Sequence, residues 1–311
     1  MSVGILFSAP PAAWADYEAP LRRALAAEEL DDVELGPDVP ADRVDYIVFA
    51  PSGPVSDFSA FPNLKAVQSL WAGVETVVGN DTLRVPLCRM VDSGLREGMV
   101  EWVAGQVLRH HLGLDGVLAC QDGRWAPRVP PLARNRPVGI LGLGELGTAC
   151  AAALAGLGFP VMGWSRRRKE IPGISCHAGD DGLTTVLKDA QILVLLLPDT
   201  PDTRTILNAD TLGRMPQGAV IVNPGRGPLI DDDALLAALD SGRIAHATLD
   251  VFRTEPLPGD HPFWSHPGVT VSPHVASATR PDTAAEVAAR NIRRAVDGRP
   301  LLYQVDRTAG Y

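Results

Sequence analysis

The stretch Val138-Gly139-Ile140-Leu141-Gly142-Leu143-Gly144-Glu145-Leu146-Gly147 does most to limit what this chain can become. A buried-strand pattern, Val138 to Leu141, runs into G-x-G-x-x-G. A helical pattern follows from Leu146 to Leu157, and a second strand pattern from Val161 to Trp164. Parallel strands joined through a helix pair as a crossover unit, so the segment predicts a parallel sheet with helices on its faces. Glycine has a different use at each motif position: a tight turn at Gly142, close approach of a pyrophosphate at Gly144, and helix–strand packing at Gly147. The helix start at Glu145, Leu146 and Gly147 offers N–H groups and a positive dipole end to an anion. A bare glycine motif is weak; the strand before it and the helix after it make dinucleotide binding the expectation.

The same alternation continues on both sides. Val3 to Phe7, Tyr46 to Ala50, Leu64 to Trp71 and Leu87 to Val91 read as strands, and Asp16 to Glu28 as a helix with Leu21, Ala24 and Leu25 on one face. Met99 to Leu112 reads as a longer helix. Beyond the glycine loop, Ile192 to Leu197, Ala219 to Val222, His246 to Val251 and Val269 to Ser272 complete six strands of a doubly wound sheet. Asp282 to Val296 is a helix able to return to the first domain. A length of 311 residues suits two such α/β domains.

Charge narrows the ligand. A formal net charge of −9 argues against nucleic acid and anionic membranes, both of which need a dense cationic surface. The four cysteines, Cys88, Cys120, Cys150 and Cys176, have neither zinc-site nor disulfide-framework spacing and suit free thiols. No metal is expected. With no apolar run near a membrane span and no basic leader, a cytoplasmic protein acting on a small molecule is the expectation.

The cationic exceptions are therefore informative. An NAD site carries an Asp or Glu after the second strand, for the ribose hydroxyls. This chain has Ser165-Arg166-Arg167-Arg168-Lys169 there. Ser165, Arg166 and Arg167 stand where an adenosine 2′-phosphate would lie. One charge-assisted bond contributes roughly 1.5–3 kcal/mol, about a ten- to hundredfold preference for NADP(H) over NAD(H). A solvated basic loop is the competing reading, and position favours the phosphate.

Ligands of open parallel sheets bind beyond the carboxyl ends of the strands. Arg226, Glu255 and His274 follow three successive strands there. They supply what reduction of a 2-oxo acid requires. Arg226 can grip carboxylate and oxo oxygens with a planar fork, His274 can donate a proton, and Glu255 can orient the imidazole and pair with its cationic form. His246, His110 and His111 read as structural.

Gly142 to Gly147, Leu197-Pro198-Asp199-Thr200, Asn223-Pro224-Gly225-Arg226-Gly227, Leu249 to Phe252 with Glu255-Pro256, and Ser272-Pro273-His274 together resemble the D-isomer-specific 2-hydroxyacid dehydrogenase family. Trp164 to Arg167, Glu255-Pro256-Leu257-Pro258 and Gln304-Val305-Asp306-Arg307 are most similar to its glyoxylate/hydroxypyruvate reductase A group. The resemblance implies a dinucleotide-binding Rossmann domain, residues 98–280, inserted in a flavodoxin-like substrate domain built from 1–97 and 281–311. It implies NADPH-dependent reduction of small 2-oxo acids to D-2-hydroxy acids, in an interdomain cleft of a homodimer. It also implies that Asp250 holds the nicotinamide carboxamide, that Leu197 and Pro198 lie beside the cofactor, and that backbone N–H groups of Ala72-Gly73-Val74 bind the substrate carboxylate. Trp71 departs from the smaller residue usual before that loop. It is either a core aromatic or a pocket wall that narrows the site or stacks on a larger apolar 2-oxo acid. The rival from another class is a nucleotide-sensing binding protein without turnover.

Overall fold

The computed structural model describes residues 2–310. The chain forms two compact units, dividing at Leu95/Arg96 and again at Ser277/Ala278, so that the first unit takes in both chain ends. In that first unit β1 (Val3–Ser8), β2 (Val33–Gly36), β3 (Tyr46–Phe49), β4 (Ala66–Ser69) and β5 (Leu87–Cys88) pair in parallel, in the order β2-β1-β3-β4-β5. That is the flavodoxin-like strand order. Helix Trp14–Ala27 buries Tyr17, Leu21, Ala24 and Leu25, one stripe of the helical period. Ala284, Ala285, Ala288, Ala289 and Ile292 of helix Pro281–Val296 join the same core. Small side chains let the returning helix sit close, while burial of Leu21 and Leu25 contributes about 1.5–3 kcal/mol each.

The second unit holds β6 (Val138–Leu141), β7 (Val161–Trp164), β8 (Ser175–His177), β9 (Ile192–Leu195), β10 (Ala219–Asn223), β11 (Ile244–Leu249) and β12 (Val269–Val271). All pair in parallel, in the order β12-β11-β10-β9-β6-β7-β8. Counted from β6, this is the Rossmann order with a seventh strand added at the edge. Strands β6, β9 and β10 are buried throughout, as helices on both faces require. The strand order reverses between β6 and β9, so the crevice at the carboxyl ends opens beside the loop that follows β6.

Two strands are additions to the sequence reading, β2 and β8. Both are edge strands with little apolar signal: only Leu35 is buried in β2, and Ser175-Cys176-His177 is half exposed. Strand β5 is confined to two residues. Helix Ser93–Leu112 starts earlier than the apolar pattern indicates, because Asp92 accepts a hydrogen bond from Leu95 N–H at 3.1 Å and caps it. Among the described residues no helix is long and apolar enough to cross a membrane.

Candidate active site

The glycine loop joins β6 to helix Glu145–Gly156. Gly142 has φ +106°, and a Cβ there would lie 2.4 Å from the Leu196 carbonyl oxygen. A Cβ on Gly147 would lie 1.8 Å from the Gly142 carbonyl oxygen, so helix and loop touch backbone to backbone. Gly144 is different: a Cβ there would meet no atom within 4 Å. Among the described residues nothing demands glycine at 144, and no side chain caps the helix that begins at Glu145. Free helix N–H groups under an open, glycine-lined approach fit the pyrophosphate of a dinucleotide. Leu197 is buried just beyond β9, and the Pro198 carbonyl accepts from Thr203 Oγ1 at 2.6 Å, which folds the 198–203 turn.

The basic stretch follows β7. Ser165 donates its hydroxyl to the Arg167 carbonyl at 2.7 Å, shaping the turn, and Arg166, Arg167 and Arg168 are exposed. Lys169 was not among the sequence candidates, yet its Nζ donates to the Leu143 carbonyl in the glycine loop at 2.5 Å. The contact fastens the basic loop to the loop that would hold the pyrophosphate. Nothing short of the fold could have paired these two positions.

Arg226 sits after β10 on a loop folded by Asn223, which is 1% exposed. Asn223 Oδ1 accepts from Gly225 N–H at 3.1 Å, and its Nδ2 donates to the Arg226 carbonyl at 3.0 Å. Arg226 Nη1 donates to the Gly225 carbonyl at 2.7 Å. Gly227 lies directly on the next loop, since a Cβ there would be 2.0 Å from the Phe252 carbonyl carbon. Glu255 belongs to that loop. Its Oε1 accepts from Phe252 N–H at 2.9 Å, while Oε2 lies 2.7 Å from His274 Nδ1. A carboxylate only accepts, so the proton between them belongs to Nδ1, and Nε2 is left for other work. The imidazole is about half exposed.

His274 has φ +54°, a left-handed conformation that costs a non-glycine residue on the order of 1 kcal/mol or more. Asp250 stabilises the turn. Its carbonyl accepts from His274 N–H at 2.8 Å, Oδ1 from Ser272 Oγ at 2.5 Å and Val275 N–H at 3.0 Å, and Oδ2 from Ala276 N–H at 2.9 Å. The residue is fully buried. Arg226, Glu255 and His274 thus come together at the carboxyl edge of one sheet, with Asp250 beneath His274.

The Trp71–Val74 segment follows β4 in the first unit. Ser69 Oγ accepts from Trp71 N–H at 3.0 Å and donates to its carbonyl at 3.1 Å. Trp71 is 45% exposed and so is no core aromatic, whereas Trp102 packs on the core of the second unit. His110 and His246 are structural: their Nε2 atoms lie 2.8 Å from Thr248 Oγ1 and Thr270 Oγ1, and the rings are 5.0 Å apart. Burial pushes His110 down to about 4, the neighbouring His246 adding to the effect, and lowers His246 as well. His111 is buried against Phe159.

A Rossmann sheet with a glycine loop and an Arg–Glu–His set at one edge defines a nucleotide-dependent oxidoreductase, and comparison with known proteins agrees. Residues 106–276 match the family model for the D-isomer specific 2-hydroxyacid dehydrogenase NAD binding domain. The D-isomer specific 2-hydroxyacid dehydrogenase of Xanthobacter autotrophicus Py2, solved with NADPH and MES, is 40% identical, with TM-score 0.93 and 100% of both chains covered. An NADPH-dependent glyoxylate/hydroxypyruvate reductase from Sinorhizobium meliloti, solved with NADP and sulfate, is 35% identical, with TM-score 0.88 and 100% of both chains covered. A probable 2-hydroxyacid dehydrogenase from Rhizobium etli CFN 42, solved with NADP, HEPES and L(+)-tartaric acid, is 31% identical, with TM-score 0.86 and 100% of both chains covered. The chain belongs to the D-isomer specific 2-hydroxyacid dehydrogenase family, and it is an enzyme of that oxidoreductase class.

Proposed function

We propose that this enzyme reduces a small 2-oxo acid, of the glyoxylate and hydroxypyruvate class, to the D-2-hydroxy acid with NADPH. The observation that carries the reading is the 2.7 Å pairing of Glu255 with His274 Nδ1, which leaves Nε2 to act on a substrate. When bound, NADPH would supply the hydride. Arg226 binds the substrate's carboxylate and polarises its oxo group, and His274, doubly protonated with Nδ1–H held by Glu255, delivers its Nε2 proton to the oxo oxygen and is left neutral. Glu255 keeps the ring in the orientation that delivery needs. Gly142, Gly144 and the helix start at Glu145, Leu146 and Gly147 would hold the pyrophosphate, with Leu197 and Pro198 alongside.

Preference for NADPH is supported by the basic loop with no acidic residue between Val161 and Lys169, and by the NADP(H)-bound relatives. Trp71 favours testing larger apolar substrates as well, since its exposed ring offers a stacking surface. Ala72-Gly73-Val74 suits an anion through its run of backbone N–H groups. We further infer that the enzyme is a homodimer in a reducing, cytoplasmic setting. Between residues 112 and 132 several large apolar side chains stand exposed, Trp125 at 95% and Val129 at 94% among them, and the four thiols are unpaired. A second copy of this acidic chain is the occupant that family membership supports.

The test is steady-state oxidation of NADPH and NADH with a panel of 2-oxo acids, wild type against His274→Ala. Loss of the proton donor should lower kcat about 10²–10⁴-fold. Full activity in His274→Ala would refute its role. Tight NADPH binding without turnover of any 2-oxo acid would favour the sensing protein instead.

A further inference from the structure

The loop that carries Glu255 meets one carboxylate outside the chemistry just described from both sides, by an ion pair at Arg253 and a looser approach of the His261 ring. Asp232 opens helix Asp232–Asp240. Its Oδ2 lies 3.5 Å from Arg253 Nε and 3.9 Å from His261 Nε2. Arg253 precedes Glu255 in the loop and His261 follows it. Arg253 Nη2 also donates to the Ile230 carbonyl. His261 Nδ1 accepts from Phe263 N–H at 3.3 Å, so the proton of the neutral ring sits on Nε2, facing Asp232. The ring is further fixed by packing on Phe263, with centroids 4.5 Å apart.

Ile230 and Asp232 are the far end of the segment that began at Asn223 and carries Arg226. Two loops that present functional groups are therefore joined at two places. One is the backbone contact of Gly227 on Phe252, and the other is the convergence of Arg253 and His261 on Asp232. A loop held at one point can still rotate about it, whereas two separated points fix its direction. Asp232 is also not needed to cap its helix, since Asp231 Oδ1 accepts from Ala234 N–H at 3.0 Å.

We propose that Asp232 is a positioning residue for the reduction. Through Arg253 and His261 it holds the Glu255 loop at a fixed spacing from the Arg226 loop. The proposal rests on the roles given above to Arg226, Glu255 and His274. Because the glycine loop is elsewhere on the sheet edge, Asp232 governs the chemical step and not cofactor binding.

Asp232→Asn, Asp232→Ala and Asp232→Glu should be compared for kcat, for KM of NADPH and glyoxylate, and for hydrogen exchange of residues 252–261. Asn and Ala should lower kcat about ten- to hundredfold, the scale set by an ångström of misplacement. They should leave KM for NADPH within about twofold, and Glu should restore much of the rate. In a Glu255→Gln background the Asp232→Asn loss should nearly vanish, because both changes act on the same imidazole. Wild-type kcat in Asp232→Asn and Asp232→Ala would overturn the proposal, as would a loss of equal size in the Glu255→Gln background. A wild-type chain that turned over no 2-oxo acid would refute the assigned reaction instead. Exchange would then decide the clamp, with faster exchange at 252–261 supporting it and unchanged exchange overturning it.

Discussion

Gly144→Ala adds one methyl group at a position where the protein has left room for it. Among the described residues, no atom outside Gly144 and its two chain neighbours lies within 4 Å of the new Cβ, and φ −71° with ψ −163° suits alanine. The expected cost to the fold is the poorer helix cap, about 1 kcal/mol or less. In a protein of this size that is a fall in Tm of no more than about 4 °C. Cofactor binding should respond very differently. The methyl would stand between the helix N–H groups and the phosphate they are proposed to bind. Each charge-assisted bond contributes roughly 1.5–3 kcal/mol, so loss of one weakens NADPH binding about ten- to hundredfold.

Gly147→Ala is the control, because its Cβ would fall 1.8 Å from the Gly142 carbonyl oxygen and the obstacle is backbone. It should lose about 1–3 kcal/mol of stability or more, by overpacking that no side-chain rotation relieves. Differential scanning fluorimetry and fluorescence titration with NADPH separate the two effects. An unchanged Kd in Gly144→Ala refutes the reasoning, as does a Gly144→Ala protein as destabilised as Gly147→Ala.

Replacing Arg166 and Arg167 together by Gln should lower the ratio of kcat/KM for NADPH over NADH about ten- to hundredfold; an unchanged ratio would leave the basic loop without the role proposed for it. Stability should fall in acid. His110 is held near 4 against an ordinary 6.5, so the unfolded chain takes up the proton first, and full stability above about pH 6.5 is lost progressively down to about pH 4. The loss from His110 is on the order of 3 kcal/mol, with His246 adding in the same direction; urea titrations from pH 7.5 to 4 should show it flattened in His110→Gln, and an identical slope in that variant would contradict the assignment. Trp125→Ser with Val129→Asp should convert a dimer to monomer in light scattering, and a wild type already monomeric at micromolar concentration would refute the interface.

The fold was legible where the chain obeys a period or a motif. Strands β6, β9 and β10 are continuous apolar runs because both faces are covered, and the glycine loop announces itself through spacing. Strands β2 and β8 escaped because an edge strand needs only one buried face, and Ser175-Cys176-His177 shows almost no pattern. The edge on which Arg226, Glu255 and His274 stand was legible by position, since parallel strands deliver whatever follows them to one edge. Their supports were not. Lys169 on Leu143, Asn223 beneath Arg226, and Asp232 beneath the Glu255 loop are contacts made by turns and loops, and no periodicity encodes them.

Asp250 shows why a residue can be found by pattern while its work stays hidden. Resemblance marks it as the partner of the nicotinamide carboxamide, a ligand contact. In the fold, its carboxylate accepts from Ser272, Val275 and Ala276, and its carbonyl accepts from His274 N–H. An ionised carboxylate offers about four acceptor sites, and three are already occupied within the turn. The strained backbone of His274 could not persist without such over-determination, because a left-handed non-glycine residue relaxes unless its neighbours forbid it. The turn also fixes where the ring emerges, and Glu255 fixes how it faces. Orientation of the proposed proton donor is therefore shared between a buried carboxylate acting on the backbone and a half-buried one acting on the ring. Only the second could be assigned from residue chemistry alone.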